Sequence, residues 1–258
     1  MADPMNRRGF LTRASLLSSS LLLSGCDPLV QQSWFRNILY GAENVTRSVQ
    51  GLFLSDARLA PEYSEADISP KFRANGTIRP DDDDYTALAA DDFSNWKLEV
   101  GGLVERPASY SLADLRGMPS RTQITRHDCV EGWSCIGKWK GVPLAHVLDL
   151  VGLKPQARFI VFYCADTMEQ TLDGEAKYYE SVAIADARHP QTILAYEMND
   201  QVLPIPHGAP LRLRLERQLG YKMAKYIMKI EAVESLKEIN GGNGGYWEDN
   251  GYEWYAGI

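Results

Sequence analysis

At 258 residues with 45% hydrophobic side chains, the chain is long enough to bury one sizeable core, and its composition is that of a globular protein. Its formal net charge of −7 argues against nucleic acid or other polyanions as partners, because phosphate binding needs clustered cations. Four cysteines, Cys26, Cys129, Cys135 and Cys164, are too few for a disulfide-built scaffold.

Residues 6 to 26 begin with Arg7 and Arg8 followed by Gly9, Phe10 and Leu11, continue with a mild apolar run from Leu16 to Leu23, and end on small residues before Cys26. That is the layout of a signal peptide. The run is broken by Ser18, Ser19 and Ser20 and falls short of the ~20 residues that a spanning helix needs. The arginine pair resembles a twin-arginine (Tat) export signal, and Leu23-Ser24-Gly25-Cys26 resembles a lipobox. Together they imply export of an already folded protein to the periplasm, anchored to the inner membrane by an acylated Cys26, with Asp27 as the retention signal. An ordinary secretory signal with a chance arginine pair is the alternative, and Met5 competes with Met1 as the start. Cleavage before Cys26 removes three arginines and one aspartate, taking the net charge from −7 to −9. The only membrane contact expected is through the lipid.

Residues 27 to 65 read as an N-terminal extension whose Leu29, Trp34, Phe35, Ile38, Leu39 and Val45 predict a helix packing onto the body. The acidic run Asp81 to Asp84 reads as a solvated loop or the approach to a helix; it lacks the spacing of a calcium loop. Trp96 to Val104 alternates like a strand. Ser111 caps a short helix over 112–117, and Arg121 to His127 is a further strand. Pro143 to Val151 has helical spacing with Gly152 as its stop. Arg158 to Cys164 reads as an apolar strand, and Ile193 to Leu203 as a hairpin turning at Asn199 and Asp200. Leu211, Leu213 and Leu215 alternate with Arg212, Arg214 and Glu216, and Tyr226 to Val233 is a last strand. Strands with a few short helices, outside any βαβ rotation, indicate α+β. The glycine-rich segment 240–245 leads into an aromatic tail through Tyr255. So apolar a tail is expected to dock onto the body.

The stretch from His127 to Ser134 sets Cys129 among polar, aromatic and small residues at the end of a strand. A packing cysteine is poorly placed there and a metal thiolate is well placed. With Cys26 assigned to the lipid, three cysteines remain, so at least one is free, metal-bound or paired with another chain. A Cys129–Cys135 or Cys135–Cys164 disulfide and a zinc site from His127, Cys129 and Cys135 stay open as alternatives, although the spacing matches no usual zinc ribbon.

Four segments in order, Asp128-Cys129-Val130-Glu131-Gly132-Trp133-Ser134, Trp139 to Leu144, His207 to Arg212 and Leu219 to Lys225, resemble the sulfite-oxidase-like molybdopterin proteins, a family that includes the catalytic subunit of the periplasmic methionine sulfoxide reductase. The resemblance covers roughly residues 66 to 235 and implies the sulfite-oxidase-type molybdopterin-binding fold over 66–258, with mixed sheets and short helices. It implies a molybdenum–molybdopterin cofactor, with Cys129 as metal ligand and Asn75, Cys129, Cys164, His207, Arg212, Met223, Ala224 and Lys225 as cofactor contacts. Arg212 matches the phosphate-binding arginine, and Met223, Ala224 and Lys225 the turn that clasps the pterin. A metal-bound thiol is deprotonated outright, so an isolated cysteine near polar groups suits such a site. Glu131 is the catalytic candidate beside Cys129, as a proton relay, with Asp166 as a second carboxylate.

Sulfite oxidases carry an arginine next to the asparagine of the first cofactor loop; Ala74 stands there, which lowers the case for sulfite. The chain ends 33 residues after Lys225, and no dimerisation domain is expected, so a monomer is. The expected function is oxygen-atom transfer on a small sulfur- or nitrogen-oxide substrate. Electrons would pass to or from a separate membrane subunit carrying haem or linked to quinone, since no haem motif is present. The competing reading is a non-catalytic lipoprotein of the same fold that binds a ligand or docks an electron carrier.

Overall fold

Ten strands among the described residues build two five-stranded sheets. The computed structural model describes residues 58–258 except 172 and 173, together with residues 32 and 34. The chain divides into two compact units, residues 1–54 and 55–258, and the fold described is that of the second. The leader, Cys26 and the helix expected in the extension before residue 58 lie outside the described residues.

The first sheet has the order β2-β1-β10-β5-β6, with β1 Lys97–Gly102, β2 Ala108–Ser111, β5 Phe159–Thr171, β6 Gly174–Ala183 and β10 Ile227–Val233. Its β1–β10 pair is parallel and the others are antiparallel. The second runs β3-β4-β7-β8, with β9 also on β7; these are β3 Arg121–Asp128, β4 Ser134–Pro143, β7 Ile193–Met198, β8 Gln201–Val202 and β9 Arg212–Arg214. Between them lies a core of Leu98 and Val100 from β1, Ile160 and Phe162 from β5, Leu194 from β7, Leu213 from β9 and Ile230 from β10.

The helices are short: α1 Asp83–Ala90, α2 Leu112–Gly117, α3 Leu144–Val151, α4 Ile184–Ala187 and α5 Tyr246–Asp249. Asp82 caps α1 by accepting the Tyr85 N–H at 2.6 Å, so the acidic run approaches a helix. Ser111 and Asp114 form a capping box on α2. Helix α3 buries Leu144, Val147, Leu148 and Val151 and stops at Gly152, whose φ of +69° is available to glycine at little cost. Positive φ at Asn199 and Asp200 gives the tight turn between β7 and β8.

Two points differ from the sequence reading. Strand β5 runs seven residues past Cys164, to Thr171. β2, β4 and β6 were not separately anticipated. In β9, Arg212 and Arg214 are both 0% exposed, although they alternate with core leucines. Both guanidinium groups lie over the Trp139 ring, at 4.9 and 4.3 Å. Arg214 is matched by Glu216 at 2.6 Å, so the strand is buried on both faces with its charge partly paired inside.

The aromatic tail docks as expected. Trp254 meets the ring of Phe159 edge-on at 5.5 Å and donates its indole N–H to Ser181 Oγ at 2.8 Å. Buried Glu248 of α5 meets buried Lys222, which also binds Glu180.

Candidate active site

Strand β3 turns an unusual face inward: Gln123, Thr125 and His127 are buried at alternate positions. A buried polar face needs partners. Gln123 donates to Glu216, Glu216 accepts from Arg214, and Arg214 donates to His127 Nδ1 at 3.1 Å. Because an arginine only donates, Nδ1 accepts and the proton sits on Nε2. This chain of bonds rigidifies the end of β3, where the loop of residues 129–133 begins. The loop is closed by Cys129 N–H to Trp133 O at 2.9 Å and Gly132 N–H to Cys129 O at 3.0 Å, with Gly132 at φ +84°.

Cys129, 8% exposed, lines an open cavity of about 160 Å³. Val130 and Glu131 share its loop on the wall; Asn75, Gly76 and Thr77 come from the segment before α1, and Asp166 and Met168 from β5. Gly220, Tyr221, Met223 and Lys225 come from the stretch before β10, and Trp247 and Tyr252 from the tail. Cys129, Cys135 and Cys164 are free thiols, so neither disulfide alternative forms. Burial pushes the Cys129 thiol above its ordinary value.

The cavity therefore gathers Asn75, Cys129, Glu131, Met223 and Lys225 of the expected residues. Lys225 Nζ donates to the carbonyls of Asn75 (2.6 Å), Thr77 and Pro206, and the Tyr226 hydroxyl donates to the same Thr77 carbonyl at 2.8 Å. The loop of Asn75 is thus tied to the turn of Lys225. Glu131 is half exposed, accepts the Trp133 indole N–H at 2.9 Å and pairs with Arg73 at 3.5 Å.

Four expected residues are not on this wall. Ala224 is buried and accepts from Leu213 N–H at 2.8 Å. Cys164 packs in the core, 4% exposed. Half-buried His207 gives its carbonyl to Arg212 Nη1 at 2.9 Å and meets Phe72 edge-on. Arg212 lies within electrostatic reach of Lys225.

The electrostatics are lopsided. Arg212 Nε and Nη2 are buried with no hydrogen-bond partner, and burial followed by Arg214 pulls its pKa down to about 9. Burial and Arg212 bring Lys225 down to about 7, and burial with both cations takes His207 to about 4. Buried donors left unmatched cost free energy unless an acceptor meets them. Orphaned guanidinium nitrogens beside a depressed lysine are what an anionic group would satisfy.

The sequence profile of the family described as "Oxidoreductase molybdopterin binding domain" matches residues 85–239. The chain belongs to this family. A protein of Azospira oryzae, provisionally named a protein-methionine-sulfoxide reductase subunit, YedZ1, is 38% identical over 251 residues, covering 97% of this chain and 87% of that protein. The protein-methionine-sulfoxide reductase catalytic subunit MsrP of Xanthomonas axonopodis pv. citri is 37% identical over 152 residues, 57% of this chain. This chain spans about half the length of that relative (47%). Among solved structures, the sulfane dehydrogenase SoxCD of Paracoccus pantotrophus aligns with TM-score 0.48 and 22% identity over 59% of this chain and 45% of its own. As a molybdopterin oxidoreductase, the chain binds a pterin cofactor whose phosphate suits the unsatisfied donors of Arg212.

Several wall residues escaped the sequence reading. Thr77, Met168, Tyr178, Trp247 and Tyr252 lie outside the four motifs, and Tyr221 lies within one without having been singled out. Asp166 did carry a signal, as a polar residue following an apolar strand. It is 4% exposed, its Oδ1 has no partner, and burial pushes its carboxyl up to about 6 against the pull of Lys225.

Proposed function

We propose that this molybdopterin oxidoreductase reduces methionine sulfoxide as the catalytic subunit of a periplasmic system. The observation that carries the reading is the cavity wall, where Cys129 shares one space with Lys225 and with the buried carboxyl of Asp166. The two relatives named for methionine sulfoxide reduction support the substrate, as does Ala74 standing where sulfite oxidases hold a cation for sulfite.

In this reading Cys129 Sγ is the metal ligand, Arg212 meets the pterin phosphate, and Asn75, His207, Met223, Ala224 and Lys225 hold the cofactor through backbone and side chain. Cys164 supports the site from the core. When bound, the molybdenum–pterin group supplies a two-electron centre able to exchange an oxygen atom. The net change breaks the substrate's sulfur–oxygen bond: sulfur gains two electrons, and the oxygen leaves as water with two protons. Asp166, its pKa raised to about 6, takes up and gives back a proton at its unpartnered Oδ1 just below neutral pH, at the wall where that water forms. Glu131 is engaged by Arg73 and Trp133, and so orients the loop around Cys129. Electrons come from a separate membrane subunit carrying haem or linked to quinone. The leader with Arg7 and Arg8, and acylation of Cys26, would place the enzyme on the outer face of the inner membrane.

The test is reduction of methionine sulfoxide by protein exported in its native host, with a reduced viologen as donor, alongside molybdenum and pterin analysis. Turnover with one molybdenum per chain is expected, and Cys129→Ala should lose both. Undiminished molybdenum in Cys129→Ala, or no consumption of sulfoxide by the loaded wild type, rejects the reading.

A further inference from the structure

The family match ends at residue 239, yet the cavity does not. Trp247 and Tyr252, from the tail, stand on its wall. Their rings stack at 5.3 Å and 30°, and Tyr252 meets Tyr221, also on the wall, edge-on at 5.2 Å. The Tyr252 N–H donates to the Trp247 carbonyl at 2.9 Å, closing the turn that sets the two rings together. Between them in sequence, Glu248 plunges into the body to meet Lys222 and Glu180, all three buried. The aromatic wall is therefore held in place from below, and its rings need little further ordering on binding.

Charge on the wall tells what it would admit. Glu131 and Asp166 are carboxyl groups, and Lys225 already donates to three carbonyls. At the rim Arg73 is paired with Glu131 and lies 5.2 Å over the Trp133 ring. Among the described residues of this wall, an oxyanion finds carboxylates and engaged cations. A neutral substrate with short apolar arms finds aromatic faces and the thioether of Met168. Sulfur and its methyl groups pack well on aromatic rings, worth about 0.3–1.5 kcal/mol per contact.

We propose that the tail supplies the specificity subsite: Trp247 and Tyr252 hold the alkyl arms of a neutral thioether sulfoxide and thereby set the preference for such substrates over oxyanions. This rests on the sulfoxide-reduction reading and assigns that reaction's selectivity to residues outside the family domain.

The experiment compares the loaded, full-length wild type with Trp247→Ala, Tyr252→Ala and Trp247→Phe. One arm measures kcat and KM for methyl phenyl sulfoxide and dimethyl sulfoxide. A second titrates methyl phenyl sulfone, which is redox-inert here, by calorimetry and by tryptophan fluorescence. Each alanine variant should raise KM for the aryl sulfoxide and Kd for the sulfone by about tenfold, the scale of one aromatic contact, with kcat and molybdenum content little changed. Dimethyl sulfoxide should be affected less, and Trp247→Phe should recover part of the loss. Sulfone binding should quench wild-type fluorescence through a component absent from Trp247→Phe. If KM and Kd stay at wild-type values in both alanine variants, the proposal is overturned. Should those variants fail to fold, quenching that is identical in the wild type and Trp247→Phe overturns it equally. A wild type that binds the sulfone with Trp247-dependent quenching but reduces no sulfoxide would uphold the subsite and sink the reductase reading instead.

Discussion

Arg212 shows how unevenly a buried cation can be satisfied. It is fully buried, spends one nitrogen on the His207 carbonyl and leaves Nε and Nη2 unmet. Its neighbour Arg214 has the same burial but a bidentate carboxylate in Glu216. The two arginines are therefore held differently: one is paired within the fold, and the other keeps two buried donors without a partner. Replacing Arg212 with Met keeps most of the volume over Trp139 and removes an uncompensated charge, a change that is often neutral or stabilising for the fold. Arg212→Met should accordingly melt within a few degrees of the wild type, yet carry several-fold less pterin and molybdenum after purification, since charge-assisted bonds to phosphate are among the strongest available. Pterin content by fluorescence after oxidation, set beside a melting curve, checks both halves. Retention of a full complement would show that Arg212 is not the phosphate partner.

At the level of elements, sequence patterns and long-range partners contributed differently. Helix α3 and the β7–β8 turn were legible because their signals are local: apolar residues at helical spacing with a glycine stop, and two turn formers at positive φ. The motif around Cys129 was legible as a loop after a strand, and it sits in one. Strand β9 was legible as a strand but its faces were not. Whether an arginine beside a leucine is buried depends on Glu216, Trp139 and an anion, none of which its own window reveals. The tail was expected to dock, but its contribution to the cavity wall depends on a buried ion triad formed with β6 and the turn before β10. In that triad two carboxylates share one ammonium; burial holds Glu180 well above the usual carboxylate range, with Lys222 pulling the other way. Removing Lys222 leaves two buried carboxyl groups facing one another, a loss of about 3–5 kcal/mol for breaking a buried pair. Lys222→Met should thus lower the urea midpoint strongly and make residues 240–258 sensitive to limited proteolysis before the rest of the chain. If the tail stays as resistant as in the wild type, the triad is not its latch.

For the molecule as a whole, the site is a joint between distant parts of the chain: a loop near residue 75, the β3–β4 loop, β5, the turn before β10 and the tail meet at one cavity. Beside that joint, buried Arg212 lies within electrostatic reach of Lys225, and this makes stability depend on pH and loading together. Lys225 has its pKa brought down to about 7 by burial and by Arg212, from an ordinary 10.5. The folded, cofactor-free protein therefore binds that proton less tightly than the unfolded chain does. Its stability from this group is complete above 10.5 and falls as the pH drops toward 7, by at most about 5 kcal/mol. A bound phosphate supplies the missing negative charge, lets Lys225 stay protonated in the folded state and cancels that loss. Loading stabilises any protein that binds in the native state alone, but here the benefit should grow as the pH falls from about 10 to about 7. Calorimetric melting of loaded and cofactor-free protein at both pH values measures the difference directly. A gap between the two forms that is the same at both would mean that the buried positive charge is relieved by something other than the cofactor, and that Lys225 and Arg212 are ordinary core residues.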